Sequence, residues 1–237
     1  MNWQMGGEQW AARWGGTEVQ WQQMILPRIG PYLSSAQCIL ELGGGMGRLS
    51  RYLEAHCDQL WITEISQRCY AQLEVTFGSS QKVQPMLTDG ICLRQIPARS
   101  LDLVFSVFSL VHADLKTLEA ALREIRPRLS ADGIVFIHHS NAAALAGGDP
   151  EVDRKLARYR ALSVSAGNFR STALQAGFLC ISQEVFGWDR DNLRSDCFST
   201  LTLPGSKWAK PLDIRHNRYF CADAVAAACR KYPQPLY

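Results

Sequence analysis

No apolar stretch of this 237-residue chain approaches the ~20 residues that a membrane-spanning helix needs, so a bilayer-embedded protein is not expected. The opening Met1-Asn2-Trp3-Gln4 lacks the basic and apolar regions of a signal peptide, which makes the cytoplasm the expected location. There is no dense Lys/Arg block, and a net charge of +3 does not imply extended contact with a nucleic-acid backbone. The eight cysteines (38, 57, 69, 92, 180, 197, 221, 229) form no C-x-x-C pair and no tight cluster with histidine. They read as small hydrophobes in a reducing compartment, not as a zinc site or a disulfide frame. No acid/His spacing demands a metal, and neither internal repeats nor a low-complexity tail are present.

What is present is a chain with 47% hydrophobic content, enough for one large α/β core with additions. Its organising stretch is residues 38–49, where the apolar run Cys38-Ile39-Leu40 meets Glu41, then glycines, then an amphipathic pattern. Strand, glycine turn and helix in that order bring backbone N–H groups close to a ligand, because no Cβ stands in the way. A dinucleotide fingerprint G-x-G-x-x-G read from Gly43 and Gly45 requires glycine where Arg48 stands, so it fails. Acid-x-G-x-G-x-G fits instead, on Glu41, Gly43, Gly45 and Gly47. A carboxylate at the strand end repels a pyrophosphate and suits a cationic group, and S-adenosylmethionine offers an ammonium and a sulfonium. A ligand-free left-handed turn is the competing reading.

Upstream, Trp3, Trp10, Trp14 and Trp21 mark a helical cap split at Gly15-Gly16, with Trp10 and Trp14 on one face at i, i+4. Downstream, strand and helix signals alternate. The strand at residues 60–63 ends in Glu64, placed to accept hydrogen bonds from ribose hydroxyls or to cap the helix at 67–77. The strand at 83–87 ends in Asp89-Gly90, which suits either an adenine amino group or an Asp-Gly turn. Residues 101–108 read as a central strand, 115–129 as a helix, and Asp132-Gly133 as a turn into a fifth strand that finishes His138-His139-Ser140-Asn141. A charged insertion, 141–167, then precedes a helix at 168–176 and two strands at 179–185 and 197–203, expected to pair antiparallel at the sheet edge. Short connections predict a doubly wound, mostly parallel sheet with ligands at the carboxyl ends of the strands. The expected organisation is a helical cap at 1–35, a core at 36–205 and a helical extension at 206–237 that includes a helix at 222–229.

Glu41-x-Gly43-x-Gly45-x-Gly47, Glu64, Asp89-Gly90, the strand 101–106 and Leu129-Ser130-Ala131-Asp132-Gly133 together resemble a class I S-adenosylmethionine-dependent methyltransferase. The resemblance runs from about residue 36 to 205. It implies a seven-stranded Rossmann-like sheet with an antiparallel edge strand. It also implies a methionine-moiety site at Glu41 and the glycines, a ribose acceptor in Glu64, an adenine contact at Asp89 and Gly90, and a pocket lined by Ser106 and Phe108. The end of the fifth strand with the Trp-rich leader is similar to methyltransferases of sugar and secondary-metabolite tailoring. The Asn/Asp-Pro-Pro-Tyr/Phe signature of base N-methylation is absent, since the chain reads Ser106-Val107-Phe108-Ser109 there, so nucleic acid is disfavoured as acceptor.

Methyl transfer to a small-molecule hydroxyl needs alignment and a base. His112, His138 and His139 are the candidates. Side chains alternate along a strand, so only one of His138 and His139 faces the pocket. His139, further toward the strand end, is the expected base, oriented by Asp114 or Asp196. Two other classes compete: a nicotinamide-dependent oxidoreductase on the same fold, and a non-catalytic cofactor-binding module.

Overall fold

Strand β1 (Cys38–Leu42) is buried on both faces, and the chain builds its sheet outward from it. In the computed structural model the described residues are 8, 11–12, 15–187, 193–217 and 220. Among them, β2 (Gln59–Glu64), β3 (Val83–Leu87), β4 (Leu101–Ser106), β5 (Leu129–Ser140), β6 (Leu179–Phe186), β7 (Asp196–Thr202) and β8 (Asp213–Asn217) join β1 in the order β3-β2-β1-β4-β5-β7-β6-β8. The first five strands are mutually parallel, β7 runs antiparallel between β5 and β6, and β8 pairs parallel with β6.

Two expectations are corrected here. Among the described residues the sheet has eight strands, and its antiparallel member, β7, is interior because it lies between β5 and β6, while β8 adds a further strand outside β6. Residues 213–217, expected within a helical extension, carry a single large apolar side chain, Ile214, and it is half exposed. An edge strand with no buried face leaves no period-2 signal. Asp132-Gly133 is likewise no turn: β5 continues through it, with a register shift against β4. A Cβ on Gly133 would stand 2.8 Å from the Leu101 carbonyl oxygen, so glycine permits the close approach there. The helix expected at 222–229 and the Trp10/Trp14 pair lie outside the described residues.

Helices cover both faces. Before β1, α1 (Gly16–Val19) passes through a π-helical stretch, Gln20–Ile25, into α2 (Leu26–Leu33). This run buries Trp21, which stacks on Tyr52 at 5.1 Å. Arg28 on α2 forms a forked pair with Glu184 on β6, at 2.5 and 2.6 Å, tying the cap to the far half of the sheet. After β1 come α3 (Ser50–Glu54) and α4 (Gln67–Phe77), the latter capped by the Ser66 hydroxyl, which accepts from Cys69 N–H. On the other face lies α5 (Leu115–Ile125), capped by Asp114, with Leu118, Leu122 and Ile125 buried at helical spacing. Pro127 ends it in a short 3-10 turn. Within the insertion is α6 (Pro150–Ala157), and α7 (Ala166–Gln175) starts from a capping box of Ser165 and Asn168.

Strand alternation divides the core in two. Ile39, Ile62, Leu103, Phe105 and Phe136 face the α1–α2 run and α4, while Leu40, Val104, Val135 and Ile137 face α5 and α7. By that alternation His138 extends the first set and His139 the second.

Candidate active site

The carboxyl ends of β1, β2, β4 and β5 converge on the glycine turn. Gly43, Gly45 and Gly47 all have positive φ, at 74°, 59° and 83°. They differ in what surrounds them. A Cβ on Gly43 would lie 1.9 Å from Ser109 Oγ, and one on Gly47 would lie 2.7 Å from Phe77 Cε2, whereas one on Gly45 would meet nothing within 4 Å. The first and third glycines are thus demanded by packing, and the second by backbone conformation alone, on the open side of the turn.

Glu64 fastens this turn. Its Oε2 accepts from Gly45 N–H at 2.8 Å, and its Oε1 accepts from Ile65 and Ser66 N–H at 2.8 and 2.9 Å. The N-cap of α4 is Ser66, so the helix-capping role weighed for Glu64 is filled by its neighbour. Glu41 is buried and accepts from the Ser50 hydroxyl. Burial raises its pKa to about 7 against the opposing hydrogen bond from Ser50 and the nearby Arg48, with Glu64 pushing in the same direction as burial. Arg48 reaches back to the cap, donating to Gln20 Oε1 at 2.6 Å and Thr17 Oγ1 at 3.2 Å, and lies 5.1 Å over the Phe108 ring.

Asp89 is exposed; its Oδ1 accepts from Ile91 and Cys92 N–H, which holds its carboxyl below the usual range and shapes the turn at Gly90. Ile65 stands beside that turn, 69% exposed, and a Cβ on Gly90 would come 3.0 Å from its Cγ2. Sequence reading passed over Ile65, although a large apolar residue directly after a strand-end acid was a usable signal. Ser106 is buried, and its hydroxyl donates to Leu42 O at 3.1 Å, joining β4 to β1. Phe108, half buried, has φ 67°, a left-handed conformation that costs a non-glycine residue about 1–2 kcal/mol.

The histidines separate. His139, the expected base, is buried against α7, its ring stacked 4.0 Å from Phe169. The Ser140 carbonyl can only accept, so His139 Nδ1 carries the proton and Nε2 accepts from the Ser199 hydroxyl, at 2.8 Å each. Desolvation lowers its pKa to about 3. What sets His139 apart is its place on the sheet face that α5 and α7 cover, away from the glycine turn, with its two nitrogens bonded to Ser140 and Ser199. His138 lies on the other face, among Phe108, Phe186 and Phe198. Phe108 N–H points at its Nδ1 at 3.3 Å, so the proton sits on Nε2 and is donated to Asp196 Oδ1 at 2.7 Å. Asp196 therefore bonds His138 and not His139, while Asp114 caps α5 by accepting from Thr117 N–H. His112, in the 3-10 turn after β4, is lowered to about 4 by desolvation, then by Arg160 and His138. Among the described residues no group of three or more His, Cys, Asp or Glu side chains is arranged to hold a metal.

Ser140 and Asn141, the rest of the His-His-Ser-Asn run, hold the insertion. Ser140 Oγ donates to Ala161 O at 2.8 Å, and Asn141 Oδ1 accepts from Ala166 N–H while its Nδ2 donates to Arg194 O. A cavity of about 300 Å³ opens elsewhere, at the amino ends of β4 and β5 between Tyr32, Asp102, Lys207 and Trp208. The Asp102 carboxylate there is taken up by Gln37 N–H, Cys38 N–H and the Ser130 hydroxyl.

These shifts give a pH dependence of stability. The unfolded chain binds more protons than the folded one as His139 and His112 titrate, between about 3 or 4 and 6.5, so both lose stability as pH falls through that window. Glu41 acts oppositely: its folded carboxyl keeps its proton to about 7 instead of 4.5, so its contribution is lost as pH rises through that interval. His138 is lowered by burial in the same direction, so the histidines outweigh the one carboxyl, and unfolding free energy from urea titrations is expected to drop by roughly 1–2 kcal/mol per pH unit between about pH 6 and 5. His139→Phe should flatten that slope; a stability independent of pH over this range would contradict the assignment.

Residues 39–133 match the family described as a methyltransferase domain. No curated protein matches the chain. Among solved structures, it is similar to a S-adenosylmethionine-dependent methyltransferase from Mesorhizobium loti at 15% identity, covering 78% of this chain and 99% of that one with a TM-score of 0.60. One from Clostridium acetobutylicum is similar at 12% identity, with coverages of 78% and 92% and a TM-score of 0.59. The N-methyltransferase NodS from Bradyrhizobium japonicum is similar at 14% identity, with coverages of 79% and 97% and a TM-score of 0.57. The fold is that of S-adenosylmethionine-dependent methyltransferases, and with the domain match it supports S-adenosylmethionine as the cofactor.

Proposed function

We propose that the chain transfers a methyl group from S-adenosylmethionine to a hydroxyl of a small-molecule acceptor, a sugar or a secondary metabolite, with His138 as the base. The cofactor, when bound, supplies a methyl group on a sulfonium that is a good leaving group. The observation that carries the donor side is the fastened glycine turn: Glu64 bonded to Gly45 N–H, with an open space at the Gly45 Cβ position and the buried Glu41 behind it. These residues fit the group by their chemistry. A carboxylate beside the turn suits the ammonium, Glu64 retains one acceptor site, on Oε2, for a ribose hydroxyl, and exposed Ile65 with Gly90 offers the adenine an apolar wall next to Asp89.

On the acceptor side, His138 is the histidine with one nitrogen held by a carboxylate, the arrangement that orients a general base. Desolvation lowers its pKa against the opposing bond to Asp196, so the imidazole is neutral and able to take a proton at Nδ1. An acceptor hydroxyl would replace the long bond from Phe108 N–H at that atom. The α1–α2 run serves as a cap over the turn, with Arg48 linking the two through Thr17 and Gln20, and 141–167 as the insertion beside the acceptor. The site of action proposed here is the cytoplasm; among the described residues no helix is long and apolar enough to cross a membrane. A nicotinamide enzyme is not favoured, since Arg48 occupies the third glycine position.

Calorimetry on the purified chain should show S-adenosylmethionine binding and no NAD binding. With a sugar or metabolite panel screened for turnover, His138→Gln is expected to lower the rate by about 100-fold or more with cofactor affinity unchanged. Full turnover in that variant would dismiss the base, and NAD binding in place of S-adenosylmethionine would dismiss the donor.

A further inference from the structure

Arg160 closes the insertion: it follows α6, where its N–H is bonded to Leu156 O at 2.8 Å. Its guanidinium is largely buried and reaches across to β7, with Nε and Nη2 both 2.8 Å from Asp196 Oδ1 and Nη1 donating to Tyr159 O at 2.7 Å. Asp196 Oδ1 is the same atom that accepts from His138 Nε2, while Oδ2 accepts from the Ser195 hydroxyl at 2.7 Å. One buried oxygen therefore serves a cation from the insertion and an imidazole from the sheet. The geometry points to Arg160 as a positioning residue: by sharing Asp196 Oδ1 it anchors the carboxylate, fixes the Nε2–H tautomer of His138, keeps that ring uncharged, and makes the ring's state depend on a docked insertion. This rests on the reading of His138 as the base and deepens it.

The physical reasoning is electrostatic and geometric. A carboxylate with a single imidazole partner would attract a second proton onto that ring, giving an imidazolium–carboxylate pair. A guanidinium on the same oxygen supplies the countercharge, so the neutral imidazole suffices. Consistent with this, Asp196 is held below the usual carboxylate range, since Arg160 and the bond from His138 outweigh the effect of burial. The charged and titratable groups around His138 come from four elements: Asp196 on β7, Arg160 after α6, His112 in the turn after β4, and His139 next to it on β5. His112 and His139 are both neutral above about pH 5, with pKa values of about 4 and 3, so Arg160 is the cation that sets the balance there.

The test is nitrogen-15 NMR of histidine side chains in the full-length protein, with the His138 signals assigned by their loss in His138→Gln. In the unsubstituted protein His138 should show a protonated Nε2 and a bare Nδ1 at pH 7, with its protonation midpoint below the ordinary histidine value. In Arg160→Gln its protonation midpoint should move upward by about one pH unit or more, and Arg160→Lys, which keeps the charge, should return most of that shift. An unchanged midpoint in folded Arg160→Gln overturns the inference. If that variant does not fold, a charged ring or an Nδ1–H tautomer in the unsubstituted protein at pH 7 overturns it equally. Because the readout needs no acceptor, a failure here is separable from a failure of the proposed activity, which is read by turnover of His138→Gln.

Discussion

Gly45→Ala is expected to leave the protein folded and to weaken S-adenosylmethionine binding by about 100-fold or more, equivalent to about 2.7 kcal/mol. At Gly45 a new Cβ meets nothing within 4 Å, so its cost to the free protein is the left-handed backbone alone, about 1–2 kcal/mol. That corresponds to a fall of a few degrees in melting temperature for a chain of this size. The methyl group would occupy the open side of the turn, where the proposed ligand must approach the backbone. Gly43→Ala provides the contrast. Its Cβ would sit 1.9 Å from Ser109 Oγ and 2.6 Å from Ser109 Cβ, so overpacking of about 1–3 kcal/mol adds to the same backbone cost, and both stability and binding should suffer. Calorimetric titration with a parallel thermal melt reads the two variants. Gly45→Ala binding with unaltered affinity would show that the turn is a structural one that the cofactor does not approach.

Asp196→Ala is expected to be among the most destabilising single substitutions, by roughly 3–5 kcal/mol in denaturant unfolding. The carboxylate is fully buried and accepts from His138, Arg160 and Ser195, so its removal leaves a guanidinium in the interior without its countercharge. Asp196→Asn should cost less, because the amide oxygen still accepts from one donor although the charge is gone. The double variant Asp196→Ala/Arg160→Met should recover part of the loss, since an apolar replacement of both partners removes the stranded charge. A loss below about 1 kcal/mol for Asp196→Ala, the range of exposed pairs, would mean that water reaches this site and that the network is weaker than its geometry.

The inner half of the sheet was legible because its strands carry long apolar runs at 38–42 and 101–106, and because glycine and acid punctuate their ends. The outer half was less so. β8 is exposed along most of its length, and a segment that buries nothing has no hydrophobic pattern to read. At the site, alternation along β5 rightly separated His138 from His139 but gave no means of choosing between them. The choice depended on which side of the sheet α7 covers, and that is set by Phe169 packing on His139, a contact between residues far apart in the chain. Asp196 was visible as a strand-end acid, whereas Arg160 was one more charge within the charged insertion. Its burial follows from the insertion folding back through Ser140 and Asn141, a tertiary fact with no local signature.

The placement of β7 has a consequence for synthesis. Translation delivers β1 through β5 before β6 and β7, and in the folded sheet these five form one continuous parallel block. The outer edge of β5, from Ile134 to Ser140, is covered only when residues 196–202 arrive and insert antiparallel beside it. Until then a nascent chain displays a long, apolar, unpaired strand edge, the kind of surface that recruits other chains. The interval is filled by residues 141–187, so the insertion and α7 are in place to shield one face of β5 before its edge is closed. Slow decoding across residues 188–195 would prolong that exposure, and the proposed acceptor site, completed by Asp196, is among the last parts of the molecule to form.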